Sequence, residues 1–137
     1  MIIDATNLIL GRLASYAAKE ALKGNTVDII NAENTVITGK KENIFAHYKQ
    51  RRDRGHPYAG PFFQRREDRF LKRTIRGMLP RKQAKGRDAG KRIMCYIGTP
   101  KHLEGKKTEA PTHLNIQNTQ NIKYVTTKAV CAYLGKK

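Results

Sequence analysis

Basic residues are concentrated in one segment of the chain, residues 47–92. This segment contains sixteen Lys and Arg but only four acidic residues, Asp53, Glu67, Asp68 and Asp88, and so carries +12 of the formal net charge of +17. Cations at this density repel one another unless an anionic partner neutralises them. The composition of this segment is therefore typical of a polyanion-binding surface.

Arginine outnumbers lysine in this basic segment by eleven to five. Guanidinium groups make forked contacts with phosphates and stack on bases, so this bias favours structured RNA as the polyanion. Among the interleaved aromatic residues we expect Phe70 in the core, whereas Tyr58, Phe62 and Phe63 either stack on bases or anchor their loop to the domain. The predicted RNA-binding residues are Lys49, Arg51, Arg52, Arg54, Tyr58, Arg65, Arg66, Arg69, Lys72, Arg73, Arg76, Arg81, Lys82, Lys85, Arg87, Lys91 and Arg92.

The length of 137 residues favours a single domain, residues 1–137. A domain of this size buries roughly 65 to 70% of the surface of its unfolded chain. A pI near 10.2 indicates nucleic acid or an acidic membrane surface as the partner. No apolar run approaches the roughly 18 to 20 residues of a spanning helix, and the first residues lack the features of a secretory signal. We therefore expect a cytoplasmic protein without a membrane partner.

Cys95 and Cys131 lie far apart in the sequence, each within an apolar stretch. This setting is typical of buried free thiols. None of the four histidines lies at a spacing that would give a cysteine nucleophile its base or complete a zinc site. We therefore expect no catalytic residue, no metal and no cofactor.

The first thirty residues predict a strand, a helix and a second strand. Ile2 and Ile3 begin an apolar run, and residues 10–23 then place apolar side chains three and four positions apart, as on one face of a helix. Gly24 ends this helix, and residues 27–30 are again extended and apolar. A unit of this size favours parallel strands joined by a right-handed crossover, and hence an α/β fold.

A short strand or turn at residues 36–39 precedes the basic segment, and a basic helix is predicted at residues 40–52. Residues 55–61 contain two glycines and two prolines, which exclude both a helix interior and a central strand. The flanking charges make this loop a predicted binding loop.

The most informative helix is predicted at residues 66–78, because its two faces differ. At about 100° per residue, one arc is mostly apolar and the opposite arc is basic. The first arc contains Phe70, Leu71, Thr74, Ile75 and Met78, and the second contains Arg66, Arg69, Lys72, Arg73 and Arg76. One face can therefore pack on a core while the other presents cations to phosphates.

The remaining residues give weaker signals. Residues 81–92 lack sustained apolar periodicity, and we predict an extension or a short helix ordered mainly by its partner. The later predictions are a strand at residues 93–97, an irregular loop at 101–120, a short strand at 122–125, and a helix capped by Thr126 or Thr127 that extends through Leu134.

The sequence gives only weak signals for nucleotide binding and for metal-dependent hydrolysis. Leu10-Gly11-Arg12 begins a helix whose free N–H groups could receive a phosphate, but no dinucleotide-binding or P-loop motif is present. Asp4, Asp28 and Glu33 lie near predicted strands and could form a metal-binding cluster for a nuclease, although nothing pairs them at a diagnostic spacing. They are more simply explained as strand-end, turn and surface acids.

Several strings in order resemble the universal large-subunit ribosomal protein L13 family over nearly the full length. They are Leu10-Gly11-Arg12-Leu13-Ala14-Ser15, Asn31-Ala32-Glu33, Val36-Ile37-Thr38-Gly39, Arg76-Gly77-Met78-Leu79-Pro80, Lys91-Arg92-Ile93 and Thr126-Thr127. The stretch Gly60-Pro61-Phe62-Phe63-Gln64-Arg65 is similar to the archaeal and eukaryotic branch. Residues 109–120 match no string of the family.

The resemblance implies a three-layer α/β/α domain around a small, mostly parallel four-stranded sheet, with basic extensions. It also implies a structural constituent of the large ribosomal subunit, without catalysis, that binds large-subunit rRNA beside neighbouring ribosomal proteins and stabilises the RNA fold during assembly. An RNA or DNA chaperone of another kind and a nuclease are the competing hypotheses.

Overall fold

The computed structural model describes residues 1–56, 58–120 and 123–135. In chain order its strands and helices are β1 Ile2–Asp4, α1 Leu10–Leu22, β2 Val27–Ile30, β3 Val36–Thr38, α2 Lys41–Asp53, α3 Glu67–Met78, α4 Ala84–Lys91, β4 Ile93–Cys95, β5 Tyr124–Thr126 and α5 Thr127–Tyr133. Most of the predicted elements are present within a residue or two of their expected bounds. Ile122, where the last strand was expected to begin, lies outside the described residues.

The central sheet is parallel, with strand order β1-β2-β4. In the pairing of β1 with β2 and of β2 with β4, Ile3, Ile29 and Cys95 lie side by side across the sheet. All three are buried. The opposite face carries Ile2, Asp28 and Met94, which are half-buried or exposed. One face of the sheet therefore faces the main core, and the expected α/β fold with parallel strands is confirmed.

The expected four-stranded, three-layer arrangement is not confirmed, because this sheet has three strands. β3 pairs instead with β5 in a separate antiparallel ribbon. The chain turns between β2 and β3 at Asn31, whose φ of 55° lies in the left-handed region, and then makes one turn of 3-10 helix. After this turn the chain does not rejoin the parallel sheet until β4.

Residues 101–120 are irregular, as predicted, but they are anchored to the beginning of the chain. The Asp4 N–H donates to the Glu109 carbonyl, and the Ile9 N–H donates to the Leu114 carbonyl. Leu114 and Ile116 are buried. This segment therefore stabilises the entry to α1 through backbone hydrogen bonds, which no periodicity in the sequence indicates.

Residues 81–92 contain the short helix that was one of the two predicted alternatives, α4. The expected dependence on a partner does not agree with its packing, because Gly86 and Ala89 are buried within the chain itself. Gly86 allows this packing, because a Cβ at this position would lie 2.2 Å from the Pro80 carbonyl oxygen. Close backbone approach, rather than an apolar stripe, holds this helix on the domain.

Replacing Gly86 by alanine is expected to lower the free energy of unfolding by roughly 1 to 3 kcal/mol, the usual cost of overpacking a tight contact. Gly77→Ala is the matched control, since its Cβ would meet nothing within 4 Å, and we expect it to stabilise α3 by about 0.5 to 1 kcal/mol. Urea unfolding of the two variants measures both effects. A neutral Gly86→Ala would show that α4 is not docked against Pro80.

Candidate nucleic-acid interface

Helix α3 joins the basic surface to the core. Phe70, Leu71 and Ile75 are buried, whereas Arg69 and Arg76 are exposed, so the predicted two-faced helix is confirmed. Because the buried side fixes the position of the helix, the cations on the other side have a fixed spacing. The expectation for Met78 is wrong: it lies at the last residue of the helix and is 43% exposed.

Glu67 is fully buried in the first turn of α3, which the sequence did not predict. The free N–H groups and the dipole at a helix N-terminus favour a carboxylate in this turn. One of the four acids of the basic segment is thus withdrawn from the surface. The exposed face is more uniformly cationic than the composition indicates.

An aromatic cluster fastens the chain just after the predicted binding loop, at Phe63, to α2 and α3. The ring centroids of Tyr48 and Phe70 are 5.1 Å apart, and Phe63 lies 6.1 Å from Tyr48 and 5.9 Å from Phe70. Phe70 is in the core, as predicted, and Phe63 packs against it. Burial raises the pKa of the Tyr48 hydroxyl, consistent with a ring set into the domain. Of the two roles left open for Phe63, the structure shows the anchoring one.

The tip of the loop closes on itself. The His56 and Gly60 backbones donate to each other at 3.0 and 2.8 Å, and Gly55 and Gly60 both have positive φ. A Cβ on Gly55 would lie 2.2 Å from the Gly60 carbonyl oxygen, so this turn needs a glycine there. Tyr58 is 90% exposed beyond it. The loop therefore has a defined shape on either side of residue 57, which is not described.

Half of the sixteen basic residues contact the protein itself. Arg73 donates to the Phe62 carbonyl and lies over the Phe63 ring at 4.8 Å. The others with such contacts are Arg51 over Phe63, Arg52 with Asp53, Arg65 with the Gly135 carbonyl, Arg66 with Asp68, Lys72 with Met94, Lys91 with Asp88, and Arg92 with the Ala21 carbonyl. These side chains have a part in holding the surface together.

The other eight are exposed, and their side chains make no hydrogen bond, ion pair or ring contact with any other residue that the structure describes. They are Lys49, Arg54, Arg69, Arg76, Arg81, Lys82, Lys85 and Arg87. Exposed cations without a protein partner are the side chains available to phosphate groups. Among the described residues, the structure thus separates the sixteen basic residues into eight with protein contacts and eight without them.

Two grooves flank a ridge of cations. A groove of about 790 Å³ is lined by aromatic residues and arginines from α2, α3 and the loop, and one of about 770 Å³ lies between α3 and α4 over Ile75, Leu79 and Ile93. The two grooves share Lys72, Arg76 and Arg81 as lining residues. We call these three side chains the cationic ridge. It places positive charge next to two concave surfaces.

Two of the three carboxylates considered for a nuclease, Asp4 and Glu33, hold turns and loops through hydrogen bonds, and the third, Asp28, lies in β2. Asp4 accepts hydrogen bonds from the Thr6 N–H and hydroxyl and from the Asn31 amide. Burial raises the pKa of Asp4, but these hydrogen bonds outweigh it and leave the pKa below its ordinary value. Glu33 accepts from the Gly98 N–H. Within residues 1–56, 58–120 and 123–135, no group of three or more His, Cys, Asp or Glu is placed to hold a metal ion.

Cys95 and Cys131 are both buried, as predicted, and neither is in a disulfide. Burial raises the pKa of the Cys95 thiol to about 12, so it stays protonated at neutral pH. In the described part of the chain, no helix is both long and apolar enough to cross a bilayer.

Comparison with known proteins gives a consistent match. The family model of ribosomal protein L13 matches residues 1–102. Proteins called large ribosomal subunit protein uL13 are similar along nearly the whole chain. The protein from Archaeoglobus fulgidus is 44% identical over 98% of this chain and 86% of its own, and that from Methanosarcina barkeri is 43% identical over 99% and 98%. A third, from Haloarcula marismortui, is 41% identical over 98% and 90%. The similarity therefore includes most of residues 103–137, beyond the family model's match.

Proposed function

The chain belongs to the ribosomal protein L13 family, and from this membership we infer that it is a structural constituent of the large ribosomal subunit. Its place is the large subunit in the cytoplasm, and its role is structural rather than enzymatic. The archaeal relatives agree with the branch that residues 60–65 resemble.

We propose that residues 1–137 act as a single domain that binds large-subunit rRNA through the basic segment and stabilises the RNA fold during assembly. The observation that carries this proposal is the set of eight exposed cations whose side chains contact no other described residue. Two of them, Arg69 and Arg76, lie on α3, whose opposite face is buried in the core. A rigid array of cations can bridge phosphates of RNA segments that would otherwise repel one another. Neighbouring ribosomal proteins are the other proposed partners.

The two classes of cation have different proposed roles. The eight unpartnered side chains bind phosphates directly, and the eight with protein contacts position the loop and helices while adding to the positive field. Tyr58, 90% exposed at the tip of the loop, is proposed to stack on a base. All seventeen predicted residues are kept in the proposed interface, but we expect the largest effects from the unpartnered class.

The salt dependence of binding tests the proposed surface. Each phosphate that a cation neutralises contributes roughly −0.7 to −0.9 to the slope of log affinity against log salt concentration. Eight direct contacts therefore predict a slope on the order of −6 to −7 with a cognate rRNA fragment. Fluorescence anisotropy across a salt series measures this slope, and a value near −1 would refute the proposed surface.

Sedimentation tests the place in the subunit. A tagged copy of the chain is expressed in cells, and the lysate is washed at high salt and run through a sucrose gradient after low magnesium has separated the subunits. We expect the chain in the large-subunit fractions and its loss from them after ribonuclease treatment. Recovery at the top of an untreated gradient, or with the small subunit, would refute the assignment.

A further inference from the structure

The aromatic groove of about 790 Å³ is lined by both aromatic rings and arginine side chains. We propose that this groove receives one unstacked nucleotide of the bound RNA, with the base against Phe62 and the adjoining phosphates on Arg69 and Arg76. This inference rests on the proposed function and specifies the RNA feature that the site recognises, namely an unpaired nucleotide turned out of its helix.

Phe62 is the first observation behind this proposal. Its side chain is 66% exposed and lines the groove, whereas the next residue, Phe63, packs against the core. Arg73 donates to the Phe62 carbonyl at 3.3 Å and also lies over the Phe63 ring. The backbone at Phe62 is thus held in place, so its ring can accept a base at a small cost in conformational entropy.

The charges at the rim are the second observation. Arg69 and Arg76 line the same groove, are exposed, and contact no other described residue through their side chains. Arg51 and Arg73 also line it but are already held at the Phe63 ring. Arg81, likewise exposed and without such a contact, also lines it. The groove therefore offers three guanidinium groups for phosphates beside a ring for a base, which is the chemistry of a nucleotide rather than of a neutral ligand.

The shape of the groove is the third observation. A volume of about 790 Å³ lies within the range of roughly 300 to 1,000 Å³ typical of small-molecule sites. A continuous A-form duplex keeps its bases stacked inside and presents mainly phosphates and sugars, so it has no base to place against Phe62. An unpaired nucleotide in a bulge or loop exposes both faces of its base. The occupant that satisfies the ring, the cations and the volume together is such a nucleotide.

Two RNA hairpins that differ only in a single unpaired adenosine test the proposal at one fixed salt concentration. We expect the bulged hairpin to bind more tightly than the paired one by about five- to a hundredfold, the range that stacking of one base on an aromatic side chain provides. Phe62→Ala is expected to remove this difference and to leave the affinity for the paired hairpin unchanged. Phe62→Trp, which keeps an aromatic face, is expected to retain it.

Tyr124→Ala is the matched control, because Tyr124 is an exposed aromatic residue on β5, outside the basic segment. We expect it to alter neither affinity. A 4-thiouridine at the unpaired position provides a readout on the wild-type chain: irradiation is expected to cross-link it to residues that line the groove, such as Tyr48 or Phe62.

The outcomes separate this inference from the proposed function. Equal binding of both hairpins by the wild-type chain, equal weakening of both by Phe62→Ala, or a cross-link elsewhere overturns the nucleotide pocket and leaves rRNA binding intact. An acidic peptide with an aromatic residue that binds in a Phe62-dependent manner, while the bulge adds nothing, overturns it in favour of a protein partner. Failure to bind either hairpin and failure to sediment with the large subunit overturn both proposals.

Discussion

Replacing Arg76 and Arg81 together by alanine is expected to weaken binding to a large-subunit rRNA fragment about a hundredfold, at roughly 1.5 kcal/mol for each charged hydrogen bond lost. Both residues belong to the cationic ridge between the two grooves, and neither side chain contacts another described residue. Their removal also takes away two phosphate contacts, so the salt slope should become shallower by roughly 1.4 to 1.8. Anisotropy titrations at several salt concentrations measure both effects.

The matched control for this pair is Lys106→Ala with Lys107→Ala. Both lysines are exposed and lie outside the basic segment. Their replacement lowers the net charge of the chain by two, as the replacement of Arg76 and Arg81 does. We expect the affinity to fall by no more than about threefold, because charges away from the interface act only through the screened long-range field. Equal losses in the two double variants would show that net charge, rather than the position of Arg76 and Arg81 on the cationic ridge, governs binding.

Replacing Leu71 by alanine is expected to lower the free energy of unfolding by about 3 to 4 kcal/mol. Leu71 is 0% exposed on the core side of α3, and a leucine-to-alanine change at such a site loses apolar burial and leaves a cavity. For a domain of this size the melting temperature should fall by about 10 to 15 °C. Thermal and urea unfolding of the free protein measure the effect.

Met78→Ala is the control for Leu71→Ala on the same helix. Met78 falls on the apolar arc of α3 in the sequence but is 43% exposed in the structure, so we expect its replacement to cost less than about 1 kcal/mol. Bound RNA should restore part of the stability of Leu71→Ala, because a ligand that binds only the folded state stabilises it by mass action. Equal costs at the two positions would contradict the observed orientation of α3.

The elements with regular periodicity could be predicted from the sequence almost to the residue. α1 and α3 repeat apolar side chains every three or four positions, and the glycine or proline after each limits its length. Thr126 could be proposed as a cap, and its hydroxyl does accept a hydrogen bond from the Ala129 N–H. These signals come from residues that are close together in the sequence, so they can be recognised without the tertiary structure.

Two segments carry no such signal, and their structure depends on distant residues. α4 is held where Gly86 meets the Pro80 carbonyl, and residues 109–116 are held by hydrogen bonds to the backbone around β1 and α1. The number of strands in the parallel sheet likewise does not depend on neighbouring residues alone. β3 pairs with β5, which lies far along the chain, and so does not join that sheet. Backbone pairing of this kind leaves little trace in side-chain patterns.

The candidate interface divides in the same way. The sequence by itself determined that the charge lies in residues 47–92, that it faces away from a core on α3, and that it suits RNA, because composition and helical period are properties of the chain alone. Only the tertiary structure decided which eight cations contact no other described residue, that Glu67 is buried, and that Phe62 is exposed while Phe63 packs on the core. Those features depend on which groups the fold brings within hydrogen-bonding or packing distance of one another.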